Sequence, residues 1–333
     1  MELWTIRIPE TGTAEAQAER AAAAGWDGIA FTDSQNLIGD PFVAIALAAR
    51  AVPELKFATG VTNAATRHPA ALATVAATVQ EASSGRFVLG IGRGDTALFH
   101  LGRKPQPVAD FFAAVEDLHA YLAGETIDAN GHPSRIRWLD RATQPTVPLD
   151  IASSGPKVIA FAARVAERVT FAIGADPPRV AWAVDQVRAA ERADPPSLGA
   201  YVTVGCHPDV DVARGLIAGS VAAFAHFSSM PGSTGAGLAE ADRALVAEVG
   251  RRYDSNLHLV NGSPQTGALT DDFVDRFAIV GPPDLCIERL RALSELGLER
   301  FVITGPGFGA DREAAKLSEQ LLRDEVLPGV RAP

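Results

Sequence analysis

Residues 56–95, KFATGVTNAATRHPAALATVAATVQEASSGRFVLGIGRGD, contain two short apolar runs, each ending at a polar, glycine-bearing edge, with one amphipathic stretch between them. Lys56 to Gly60 predicts a strand, Val61 to His68 a polar crossover, Pro69 to Ala82 a helix and Phe87 to Ile91 the next strand. This is one repeat of a parallel β/α fold. In such folds the loops at the carboxyl ends of the strands build the ligand site. Here that edge carries Thr62, Asn63, Thr66, Arg67, His68, Gly92, Gly94 and Asp95.

Extending the pattern outward gives eight strand-like runs. They are Leu3 to Ile8, Gly28 to Thr32, Lys56 to Val61, Phe87 to Ile91, Leu149 to Ser153, Val169 to Ile173, Leu198 to Val204 and Arg300 to Ile303. The best defined are apolar on both faces, as parallel strands covered by helices are. Eight alternating β and α units predict an α/β (β/α)8 barrel, a TIM barrel, formed as one domain over 1–333. Leu72, Val75, Ala76 and Val79, and again Val158, Phe161, Ala162 and Val165, follow the spacing of a buried helical stripe. Pro69 and Pro156 mark helix starts, where a missing N–H costs nothing. The rhythm breaks over about 228–278, where PGSTGAG (231–237), a helical segment and NGSPQTG (261–267) follow the seventh strand. That excursion reads as an insertion, either a lid over substrate or a plain surface loop.

Composition narrows the function classes. With 47% hydrophobic and 21% charged residues the chain has the makings of a large core. Its 40 acidic against 30 basic side chains give a net charge of -10 without any Lys/Arg-rich run, which argues against nucleic acid and anionic membrane surfaces as partners. The opening MELWTIRIPE lacks a basic-then-apolar pattern, so a cytoplasmic protein is the expectation. Cys206 and Cys286 stand far apart in sequence and suggest no disulfide framework. Walker A, HExxH, CxxC and GxSxG patterns are missing; the glycines of Gly305 to Ala310 fit a loop better than a dinucleotide fingerprint.

The most specific chemical signal is Ser153-Ser154-Gly155-Pro156-Lys157, which ends one strand and opens one helix. Free amides of a first helical turn, two hydroxyls and the helix dipole converge there, which suits an anion such as phosphate. Gly155 would let a ligand approach the backbone closely, and Lys157 would add charge if turned inward. An ordinary serine N-cap explains the same residues without a ligand.

Several collinear segments carry a resemblance: TGVTNAATRHPA, ASSGRFVLGIGRGD followed by Leu101-Gly102, SSGPKVIAFAARVAERV and FAIVGPPDLCIERL. Together they resemble the bacterial luciferase-like flavin and deazaflavin oxidoreductases, and more closely the branch of F420-dependent methylenetetrahydromethanopterin reductases. The similarity runs from FTDS, around Asp33, to the last strand and is weakest from Met230 to Leu269. It implies an oxidoreductase that binds coenzyme F420, with FMN the alternative cofactor, and moves a hydride to or from a small organic substrate. It further implies a non-proline cis peptide at Gly60-Val61 backing the central ring. Asn63 and Asp33 fall on the ring and substrate side, Ser154, Gly155 and Pro156 on the phosphate loop, and Gly92, Gly94 and Asp95 near the site. Relatives are commonly dimers, and the alanine-rich helices Asp40 to Ala51 and Pro69 to Ala82 offer pairing surfaces for a homodimer.

Two departures bear on the substrate. Asp33-Ser34 stands where many relatives have Asp-His, and Ile6-Arg7-Ile8 puts a guanidinium where the reductase branch has an acid. An anionic substrate or cofactor tail follows as an expectation. Asp33, Asp95, Arg7 and His68 are the candidate acid, base or charge partners; each also has an ordinary structural reading as cap or ion pair. A non-redox barrel enzyme acting on phosphorylated compounds, an FMN monooxygenase and a cofactor-binding or light-emitting partner without turnover are the competing functions. No metal is expected, since the seven histidines lack ligand spacing.

Overall fold

The computed structural model describes every residue of the 333-residue chain except Thr11, Thr234 and Pro333. Eight strands are central: β1 (Glu2–Arg7), β2 (Gly28–Phe31), β3 (Lys56–Thr59), β4 (Phe87–Gly92), β5 (Leu149–Ser153), β6 (Arg168–Phe171), β7 (Ser197–Cys206) and β8 (Arg300–Thr304). They pair in the order β7-β8-β1-β2-β3-β4-β5-β6, and β6 also pairs β7, so the order returns to its start. The expected parallel (β/α)8 barrel is what the chain forms. All eight runs are strands, with ends shifted by at most two residues.

Besides a small antiparallel pair, Ile127–Asp128 with Pro133–Ser134, two strands of the large sheet escaped the sequence reading. Thr62–Asn63, read as crossover, pairs with β4 through Thr62↔Ile91 and Asn63↔Gly92. Ile279–Gly281 pairs with the end of β7 through Val204↔Ile279 and Cys206↔Gly281. At two and three residues, both are too short to show a period.

The chain divides into two compact units, one of Thr5–Ala152 with Val165–Arg168, the other of Met1–Trp4, Ser153–Arg164 and Val169–Pro333. In the first, Phe31, Phe57 and Phe87 on adjacent strands are at most 1% exposed, each burial worth about 1.5–3 kcal/mol. Helix Pro41–Ala51 starts at Asp40, whose carboxylate accepts from the amides of Phe42 (2.8 Å) and Val43 (3.2 Å). Its C-terminal end is held by Arg86, which donates to the carbonyls of Ala49 (2.8 Å), Val52 (3.0 Å) and Leu55. Helix carbonyls left without intrahelical donors thereby gain a cation.

In the second unit, β7 leads into helix Val210–Ser229, then helix Glu240–Arg252, short turns at Ser255–Leu257 and Pro264–Ala268, and helix Asp271–Phe277. Val210–Ser229 is long and apolar enough to span a membrane by composition. Burial of Leu216, Ile217, Val221 and Ala225 accounts for that apolarity as core packing. Phe273 and Phe277, both buried on helix Asp271–Phe277, stack at 4.9 Å. The two cysteines, distant in sequence, are both buried and free; Cys206 pairs in register with Gly281, whose carbonyl accepts from the Cys286 thiol at 3.5 Å.

Arg86→Met is expected to lower unfolding free energy by about 1–3 kcal/mol in urea titrations, through unpaired carbonyls. Arg86→Lys should recover only part of the loss, because a compact ammonium cannot match three acceptors arranged around a planar fork.

Candidate active site

In the first unit the carboxyl end of β3 runs into Gly60-Val61, and that peptide is cis, at the position the resemblance implied. Room for it comes from β4. A Cβ on Gly90 would overlap the Thr59 carbonyl oxygen and stand 3.3 Å from Val61 Cγ1; one on Gly92 would stand 3.1 Å from Val61 Cγ2. Thr59 also donates its hydroxyl to the Gly90 carbonyl at 2.7 Å. Gly92 therefore makes space for the bulge, and Gly90, not singled out by the sequence reading, does so more stringently. Gly94 has φ +75° and sits with its absent Cβ 2.9 Å from Leu98 Cδ1, a conformation and a gap that only glycine meets without cost.

Asp33, 6% exposed, lies just beyond β2 and accepts three side-chain hydrogen bonds. Gln35 Nε2 reaches Oδ1; Thr62 Oγ1 (2.6 Å) and Arg67 Nη1 (2.7 Å) reach Oδ2. Arg67 also donates to Asp40 Oδ2 at 2.6 Å, so one guanidinium ties the loop after β3 to two carboxylates of the loop after β2. Burial works to lower the Arg67 pKa, but the Asp33 charge and hydrogen bond, with those of Asp40, outweigh it and hold the pKa above the ordinary guanidinium value. Asp33 thus already has its acceptor sites engaged by a network, which the sequence reading of a simple acid did not foresee.

Asn63 is 1% exposed. Its Oδ1 accepts from the amides of Ala65 (3.1 Å) and Thr66 (3.0 Å), which shapes the loop. Asp95 precedes the short helix Thr96–Phe99 and makes no side-chain cap bond to it. His68 takes its ordinary role: Nδ1 accepts from the Ala70 amide at 3.2 Å at the start of helix Pro69–Ala82. Arg7, half-buried at the end of β1, donates to the Ile6 carbonyl at 3.0 Å.

Several polar atoms in these loops are shut off from solvent and have no protein partner among the described residues, among them Thr32 Oγ1, Gln35 Oε1, Thr66 Oγ1, His100 Nε2 and Gln106 Oε1. The segments carrying them are cross-linked. Asn36 Nδ2 donates to the His100 carbonyl at 3.4 Å, and Arg103 Nη1 donates to the Ala65 carbonyl at 2.8 Å. Buried polar atoms are almost always satisfied in folded proteins, so such a group marks a place for water or ligand. None of Gln35, Thr32 or His100 was singled out from sequence.

In the second unit the expected anion loop has an unexpected neighbour. Helix Pro156–Val165 starts directly after Gly155, and its first backbone bond runs from Ile159 N–H to the Gly155 carbonyl at 3.0 Å. The amides of Lys157 and Val158 precede that bond and so have no intrahelical acceptor. The space a Cβ on Gly155 would fill is taken by the Gly232 carbonyl and by Ser233, whose Cα would stand 2.9 Å away. Ser154 Oγ shares a hydrogen bond with Ser233 Oγ (2.9 Å) and lies 3.5 Å from the Phe227 carbonyl. The close backbone approach expected of a ligand at Gly155 is thus made by the turn at 231–233. Ser153 is buried, Pro156 half-buried and Lys157 exposed.

A hollow of about 650 Å³ lined by His207, Asp311, Lys316 and Gln320 contains none of these residues. Loop geometry, not cavity size, marks the site.

Residues 7–300 match the family model for luciferase-like monooxygenases. The chain belongs to this family. Among its luciferase-like relatives, 5,10-methylenetetrahydromethanopterin reductase from Methanolobus tindarius is 29% identical over 90% of this chain and 91% of that one. Of solved structures, the coenzyme F420 dependent tetrahydromethanopterin reductase from Methanopyrus kandleri superposes with a TM-score of 0.75 at 21% identity over 99% of both chains. An F420-dependent secondary alcohol dehydrogenase, solved with an F420-acetone adduct, gives 0.72 at 17% identity over 99% of each chain. The luciferase-like fold is common to all of them.

Gly90→Ala is expected to cost about 1–3 kcal/mol of stability in chemical denaturation, since the added methyl must displace the Thr59 carbonyl. Gly215→Ala, on an exposed helical position where an added Cβ meets nothing within 4 Å, should instead gain about 0.5–1 kcal/mol.

Proposed function

We propose that this protein is an F420-dependent oxidoreductase that moves a hydride between the deazaflavin and a small organic substrate. The observation that carries this reading is the set of orphaned polar atoms on the loops after β2, β3 and β4, in the unit that also holds the Gly60-Val61 bulge. The 29% identity to a methylenetetrahydromethanopterin reductase along nine-tenths of the chain supports it.

The residues present suit the cofactor. Gly60 and Val61 would back the ring system, and Asn63 would donate from Nδ2 while Oδ1 keeps the loop in shape. The Lys157 and Val158 amides with the Ser154 hydroxyl would take the anionic tail. Gly92 and Gly94 act by leaving space. When bound, the deazaflavin supplies the hydride chemistry; the chain supplies orientation and a dry setting for it. Asp33, braced by Thr62, Gln35 and Arg67, fixes the loop that faces the reacting groups, and Asp95 and Arg7 stand as charged groups able to orient a polar substrate. In this reading the chain is one domain over 1–333, with 228–278 as an insertion whose turn at 231–233 covers the anion loop. A second copy of the chain would pair through helix Pro41–Ala51, whose Val43 and Leu47 are 60% and 46% exposed.

Fluorescence titration of the purified protein should show F420 binding more tightly than FMN; preference for FMN would replace the reading with the monooxygenase one. Ser154→Ala should weaken F420 binding by roughly 10-fold, the loss of one charge-assisted hydrogen bond, while unfolding free energy falls by no more than about 1.5 kcal/mol, the worth of its bond to Ser233. Val43→Glu with Leu47→Glu should turn a dimer into a monomer in light scattering.

A further inference from the structure

Cys206 ends β7, and Cys286 lies near the start of helix Pro283–Glu295, which follows the short strand Ile279–Gly281. Gly281 joins them. It pairs in register with Cys206, and its carbonyl accepts from the His207 amide at 2.9 Å and from the Cys286 thiol at 3.5 Å. The Cys206 thiol in turn hydrogen-bonds to the Cys286 sulfur, and that bond first, with burial second, pushes its pKa above the ordinary thiol value. Both side chains are fully buried and free of any disulfide. An isolated buried cysteine acts as a small hydrophobe; two free sulfurs in contact can also react with each other.

Their places in the chain give the pair its meaning. Helices Val210–Ser229, Glu240–Arg252 and Asp271–Phe277 all lie between 206 and 286. The chain leaves the barrel sheet at one cysteine and has just returned to it before the other. At its base this excursion is closed by three backbone pairs, Val204↔Ile279, Gly205↔Val280 and Cys206↔Gly281. A covalent link at the same point would enclose everything from 207 to 285.

We propose that Cys206 and Cys286 are a site of reversible oxidation, which hydrogen peroxide converts into a disulfide that clasps the base of the 207–285 excursion. The pair is independent of the cofactor reading above. In the first step the Cys286 sulfur attacks the peroxide: an S–O bond forms, the O–O bond breaks, and the thiol proton leaves with the departing oxygen as water, giving a sulfenic acid. The Cys206 sulfur then attacks the Cys286 sulfur. An S–S bond forms, the S–O bond breaks, and the hydroxyl leaves with the Cys206 proton as a second water. Two thiols lose two electrons in all, and one peroxide is reduced to two waters. A dithiol reductant reverses the change by exchange. Burial and protonation slow the first step, so the pair answers sustained peroxide and not traces of it.

The test takes the full chain, reduced and then treated with hydrogen peroxide, through thiol titration and peptide mapping without reduction, beside Cys206→Ala and Cys286→Ala. In the parent both thiols should disappear, a peptide pair joining Cys206 to Cys286 should appear, and dithiothreitol should restore both thiols. The oxidised parent should melt roughly 5–10 °C above the reduced one, since the bond restricts a long stretch of the unfolded chain, and protease cutting within 207–285 should slow. Peroxide should produce neither change in the two variants. Thiols that stay titratable after a dose that consumes an equal amount of free cysteine overturn the proposal. So does a link that forms only in urea, or oxidation to sulfinic acid without a link. A link that leaves melting and proteolysis unchanged overturns the clasp. The peptide map of the parent decides the chemistry even where a variant fails to fold.

Discussion

A missing methyl group at position 90 is the constraint on which the first unit's site depends. The Thr59 carbonyl lies where any side chain at Gly90 would begin, and the Thr59 hydroxyl is bonded to the Gly90 carbonyl at 2.7 Å. This contact sets how β3 hands over to Gly60-Val61, and therefore where Thr62 and Asn63 sit when they pair with Ile91 and Gly92. From Thr62 the arrangement passes to Asp33, and from Asp33 to Arg67 and Asp40. A packing allowance no larger than one carbon thus governs a charged network three contacts away. Interiors as dense as those of proteins transmit displacement in this manner.

Much of this was legible in the sequence because barrels repeat. Each β/α unit restates the same alternation, so eight short apolar runs reinforced one another even where single boundaries slipped. The edge residues after β3 and β4 could be named because the apolar run stops abruptly at Thr62 and Gly92. The Ser154 loop could be named because strand end and proline helix start bracket it. The spacing Gly90-x-Gly92 also held a clue, since alternate residues of a strand share a face. Two glycines on one face signal a close neighbour.

What the sequence withheld depends on contacts between distant segments. Arg67 bridging two carboxylates, Asn36 fastening His100, and Ser233 reaching Ser154 span 27 to 79 positions, and no local pattern encodes such a meeting. The orphaned atoms belong to the same class. An unsatisfied oxygen is a property of the folded surroundings, so Gln35 or Thr32 looks ordinary in the chain and conspicuous only once buried. The reassignment of Gly155 has the same origin: a glycine permits close approach, and only the fold tells what approaches.

The turn at 231–233 and the loop at 153–157 interlock, the Gly232 carbonyl filling the recess at Gly155 while the Ser154 and Ser233 hydroxyls are hydrogen-bonded. In this chain, therefore, neither piece can be exchanged without the other. A chimera that imports the segment around 231–233 from a relative must import its matching loop too, or graft a carbonyl against a side chain. Two stretches some eighty positions apart thus behave as one exchangeable piece on stereochemical grounds alone.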